Sequence, residues 1–81
     1  MSREAYRVID GVVIWVLVER TAEAGEPERF AVRFGQGTFG PGNEGEYVTN
    51  EKGEPREFDS HQAAEDEGFK AARSHLKGQW G

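Results

Sequence analysis

The chain is built around its longest apolar run, VVIWVLV at residues 12–18. The run consists mainly of β-branched residues, which favour an extended strand, and its continuous apolar character predicts packing on both faces. It is much shorter than the roughly 20 apolar residues that a membrane-spanning helix needs. We therefore expect the other segments of the chain to cover this strand.

The sequence before this strand predicts a β-hairpin. Asp10-Gly11 can adopt the positive φ angles that a two-residue turn requires. Such a turn places Ile9 opposite Val12, and opposed residues share a face of the sheet. One face then carries Tyr6, Val8, Val13, Trp15 and Leu17, and the other carries Arg7, Ile9, Val12, Ile14, Val16 and Val18.

A third strand follows at residues 29–34, where apolar and other side chains alternate. Phe30, Val32 and Phe34 point to one side of such a strand. Arg29, Ala31 and Arg33 point to the other side. We expect the phenylalanine side to join the face of Trp15, which would make that face the core.

Residues 35–46 are rich in glycine and predict a flexible loop that contributes nothing to the core. The pattern G-x-G-x-x-G occurs at residues 35–40, but Pro41-Gly42 follows it instead of the helix that a dinucleotide site needs. We therefore predict no nucleotide cofactor. Two further short strands are expected near residues 46–49 and 54–58, around a turn that ends at Gly53.

One helix is predicted from about Ser60 to Lys77, with Asp59 or Ser60 as its N-cap and Gly78 as its stop. Small residues on its apolar stripe, among them Gly68, would let it approach a sheet closely. The fold class is therefore α+β, an antiparallel β-meander of three to five strands with one C-terminal helix packed on one face. A single domain would span residues 1–81, ordered over about 5–77.

The start of the helix carries the pattern F-x-[ST]-x-x-x-A, from Phe58 through Ser60 to Ala64. In this pattern, within residues 58–77, the chain resembles small bacterial domains of unknown function with a strand-strand-strand-helix layout. The resemblance implies the same fold and carries no activity with it.

Composition argues against several classes of function. Fifteen acidic residues outnumber ten basic ones, which disfavours binding to nucleic acid. The absence of cysteine rules out disulfides, and two histidines make a zinc site improbable. The serines and carboxylates show no catalytic arrangement. We predict a protein that is not an enzyme, binds no metal and no cofactor, does not insert into membranes and is cytoplasmic.

The function predicted from the sequence is a non-catalytic interaction module that self-associates through the sheet face opposite the helix. With the helix on the Trp15 face, an aliphatic stripe bordered by arginines would stay uncovered. The predicted interface consists of Arg7, Ile9, Val12, Ile14, Val16, Val18, Arg29, Ala31 and Arg33. The partner would be a second copy or another protein. Two alternatives are a small nucleic-acid-binding regulator that uses Arg7, Arg29 and Arg33, and an acidic inhibitor or adaptor of a larger protein.

Overall fold

A computed structural model describes residues 2–80, with side chains for residues 3–75. It contains one antiparallel sheet in the order β1-β2-β3-β4, followed by a C-terminal helix, α1. The α+β meander predicted from the sequence is therefore confirmed. The elements are β1 (Ser2–Ile9), β2 (Val12–Arg20), β3 (Phe30–Gln36), β4 (Glu46–Tyr47) and α1 (His61–Trp80).

The first hairpin has the predicted register. Asp10 and Gly11 adopt positive φ angles of 51° and 79°, as a tight two-residue turn requires. Ile9 lies opposite Val12, and the pairing continues without interruption along β1 and β2. Local turn chemistry thus sets which residues of these two strands share a face.

The pairing of β2 with β3 differs from the prediction. Val16 lies opposite Phe34 and Val18 lies opposite Val32, so the phenylalanine side of β3 shares the face of the aliphatic stripe. The helix packs on this face. The prediction that Trp15 lies under the helix is therefore wrong. The buried core of this face consists of Ile14, Val16, Val18, Val32, Phe34, Phe58, Ala64, Phe69 and Ala72.

The predicted interface stripe is consequently part of the core. Ile14, Val16 and Val18 are at most 2% exposed, and Ile9 and Val12 pack beside them at the border of the core. The prediction that these residues form an open surface is wrong. The physical reason is that the helix covers the face on which β2 and β3 together present the larger continuous aliphatic area, since burial of apolar area is the dominant favourable term.

The helix begins as predicted and approaches the sheet closely. Ser60 is its N-cap, because the backbone N–H of Ala63 donates to the Ser60 Oγ at 3.1 Å. A Cβ on Gly68 would lie 2.7 Å from the Cγ2 of Val32, which is closer than real side chains pack. The helix does not end at Gly78, where we predicted a stop, but continues to Trp80. Glycine costs a helix only about 1 kcal/mol relative to alanine, so it need not end one.

The outer edge of β3 is paired with residues 46–48 and with Phe58. Beyond β4, the N–H of Val48 donates to the carbonyl of Val32 at 3.0 Å, and Phe58 exchanges two backbone hydrogen bonds with Phe30. The predicted turn before residue 54 is present, with Gly53 at a φ of 81°. The sequence also predicts a core contact for Leu76, and for Trp80 either a return to the core or a free tail; both lie outside the described side chains.

Candidate interaction surface

The face of the sheet opposite α1 is covered over its centre by the segment of residues 37–45. Trp15 is completely buried there, and the ring of Phe39 packs edge-on against its indole with 4.9 Å between ring centroids. A Cβ on Gly35 or Gly45 would lie within 2.6 Å of the indole. The prediction that residues 35–46 contribute nothing to the core is wrong, because Phe39 packs on Trp15 and the glycines at positions 35 and 45 provide the clearance that the tryptophan requires. The flexibility of this segment stays a prediction.

The part of this face next to β4 is closed by polar contacts. The Nε of Arg33 donates to the carboxylate of Glu19 at 2.9 Å, and the hydroxyl of Tyr47 donates to the same carboxylate at 2.9 Å. The guanidinium of Arg33 lies over the rings of Phe39 and Tyr47, at 5.6 and 5.3 Å from their centroids. The pKa of Tyr47 is raised mainly by partial burial and, to a smaller extent, by the hydrogen bond to Glu19. This side of the face is therefore occupied by the chain itself.

The part of the same face next to β1 is open. Tyr6 is 47% exposed, Val8 is 71% exposed and Val13 is 45% exposed. These three side chains form the hairpin patch, since Val8 lies directly opposite Val13 and Tyr6 follows on the same face of β1. Beside the patch, the Tyr6 hydroxyl donates to Glu4 at 3.1 Å. The pKa of the Tyr6 phenol is raised mainly by desolvation and, to a smaller extent, by this hydrogen bond.

The hairpin patch borders an unpaired strand edge. In a hairpin with a two-residue turn, Ile9 and the alternate residues before it direct their backbone groups to β2. The backbone N–H and C=O groups of Glu4, Tyr6 and Val8 therefore point away from the sheet. Within residues 2–80, no backbone hydrogen bond from another segment reaches these groups. β1 thus presents both apolar side chains and free hydrogen-bonding groups along one edge.

The structure does not bring the three predicted arginines together. Arg7 lies on the helix side, with its guanidinium 4.4 Å from the centroid of the Phe69 ring. Arg33 and its neighbour Ala31 lie on the opposite face, and Arg29 precedes β3. The nucleic-acid alternative therefore lacks the shared arginine face on which it depended. The hairpin patch was missed because the sequence places its members on one face but does not say which face the helix covers.

Other concave regions carry mixed or incomplete chemistry. A groove of about 520 Å³ between the first hairpin and α1 is lined by three basic residues but also by Asp10 and Asp66. His61 and Glu65, a possible pair of metal ligands, lie 3.7 Å apart. Among the described residues, no three or more potential metal-binding side chains lie together. No helix in this part of the chain is long and apolar enough to span a membrane.

Comparisons with protein-family models, with curated proteins and with solved structures found no significant match. The resemblance at residues 58–77 stays a prediction.

Proposed function

We propose that this protein is a non-catalytic interaction module that self-associates through the sheet face opposite its helix. The observation that supports this proposal is the hairpin patch, whose three apolar side chains lie next to each other and beside the unpaired edge of β1. Exposed apolar residues that occur singly are normal, whereas contiguous ones at the surface generally mark a contact site.

Neighbouring side chains limit the contact surface to the part of the face next to β1. Toward β3 and β4, the face is closed by Phe39 and by the interactions of Arg33 with Glu19. Tyr6, at one end of the hairpin patch, also suits an interface, because aromatic residues are enriched at interfaces. The hairpin patch and the edge of β1 together make only a small interface, so we expect the association to be reversible and dependent on concentration.

Sedimentation velocity over a range of protein concentrations tests this proposal. The wild-type protein should form a dimer whose population rises with concentration. Val8→Glu places a charge in the hairpin patch and should yield a folded monomer, as judged by far-UV circular dichroism. Ala63→Glu adds the same charge to an exposed position on the helix and should leave the dimer intact.

Two results would count against the proposal. One is a wild-type protein that stays monomeric up to millimolar concentration. The other is a Val8→Glu variant that is folded and dimerises like the wild type.

A further inference from the structure

We infer that two copies of this chain pair their β1 strands antiparallel, about a two-fold axis at Tyr6. The two four-stranded sheets would then form one continuous sheet. This inference rests on the proposed self-association and specifies how it occurs.

The edge of β1 is suited to such pairing. β1 is eight residues long, carries no proline and is unpaired on its outer side. Exposed edges of this kind are templates for adding another strand, because each outward N–H and C=O gains a partner. The opposite edge of the sheet is less suited, since β4 is only two residues long and the carbonyl of Val48 just beyond it already accepts a hydrogen bond from the N–H of Arg56. A second copy satisfies the outward groups of both strands with one symmetric contact.

Symmetry limits the possible registers. The two-fold axis of an antiparallel pair runs perpendicular to the sheet, so every side chain stays on its own face. Paired residues must share a face. One residue of β1 therefore lies on the axis, directly opposite the same residue of the second copy. The candidates in the middle of the strand are Glu4, Ala5, Tyr6, Arg7 and Val8.

Charge excludes three of these registers. An axis at Glu4 or at Arg7 would place identical charges directly opposite each other, which destabilises a strand pair. An axis at Ala5 would place Arg3 opposite Arg7. An axis at Val8 would shorten the pairing, because only Ile9 separates Val8 from the Asp10-Gly11 turn.

An axis at Tyr6 avoids each of these conflicts. Glu4 then lies opposite Val8, Arg3 opposite Ile9 and Ala5 opposite Arg7, so no like charges are opposed. The outward backbone groups of Glu4, Tyr6 and Val8 all find partners in this register. On the face opposite the helix, Tyr6 of each copy lies between Trp15 of its own chain and Tyr6 of the other. The pairing thereby brings Tyr6 and Val8 of both copies together on this face, while Val13 lies on β2, one strand further from the axis.

The chain contains no cysteine, so single introduced cysteines can locate the axis. Tyr6→Cys should form a disulfide with itself under mild oxidation. Hydrogen-bonded antiparallel pairs have Cα atoms about 5.5 Å apart, which is within the range for a disulfide. Ala5→Cys and Arg7→Cys should not crosslink with themselves, because the Cα atoms of equal residues would be about 8 Å apart. A mixture of these two variants should crosslink, since residues 5 and 7 lie opposite each other.

The mixture also guards against the possibility that Tyr6→Cys weakens the dimer by removing the ring. The inference is supported if the mixed pair yields a heterodimeric disulfide well above the yield of either variant alone. It is overturned if Ala5→Cys or Arg7→Cys crosslinks with itself, which indicates another register. It is also overturned if no variant crosslinks although Val8→Glu abolishes a wild-type dimer. In both of those cases the proposed self-association stands, whereas a monomeric wild type overturns both.

Discussion

Gly68 lies in the interior of α1, and we expect Gly68→Ala to destabilise the protein, although alanine is the better helix former. Alanine in a helix interior is favoured over glycine by about 1 kcal/mol. Here, however, the added Cβ would lie 2.7 Å from the Cγ2 of Val32 and 3.0 Å from the Cγ1 of Val16. Overpacking of this kind costs about 1–3 kcal/mol.

The balance of these two effects is a net loss of about 1 kcal/mol in the free energy of unfolding. For a chain of this size, that loss lowers the Tm by about 4–8 °C. Urea unfolding, followed by far-UV circular dichroism, measures the free energy directly. Ser74→Ala is the matched control, because Ser74 is exposed on the same helix and its replacement improves helix propensity without meeting the sheet.

A double-mutant cycle with Val32→Ala isolates the steric contribution. Val32→Ala removes the methyl group that the new Cβ would meet, at its own cost in stability. In this background only the 3.0 Å contact with Val16 remains, so Gly68→Ala should destabilise less, and the two substitutions should be coupled by about 1–2 kcal/mol. If Gly68→Ala alone raises the free energy of unfolding by about 1 kcal/mol, as propensity predicts, the helix does not approach the sheet as described.

Two further predictions concern the face opposite the helix. Phe39→Ala should expose Trp15, lower stability by about 1–2 kcal/mol and shift the tryptophan emission to longer wavelength in a Trp80→Phe background; unchanged emission would contradict the contact. Because the pKa of Tyr47 is raised above its ordinary value of 10.0, its contribution to stability is present below that pH and lost as the pH rises through the folded pKa. Glu19→Gln should lower this pKa in a Tyr6→Phe background, measured by phenolate absorbance, and an unaltered titration would refute the role of Glu19.

Features that depend on neighbouring residues could be predicted from the sequence. Asp10-Gly11 permits a tight turn because of its own backbone preferences, and a two-residue turn leaves only one register for β1 and β2. Ser60 caps the helix through a hydrogen bond to a residue three positions later. The order of the elements, and with it the α+β meander, followed from such short-range signals.

The position of the interaction surface depends on which side of β3 faces the helix, and no short segment of the sequence determines this. Residues 21–29 join β2 to β3 without a tight turn, so their length leaves open which side of β3 shares a face with Val16. A shift of one residue moves every side chain of a strand to the other face. The chain resolves this by packing the whole aliphatic stripe, together with Phe34, beneath a helix that Gly68 brings close. Because this long-range packing places the helix on the aliphatic face, Tyr6, Val8 and Val13 stay exposed on the other face.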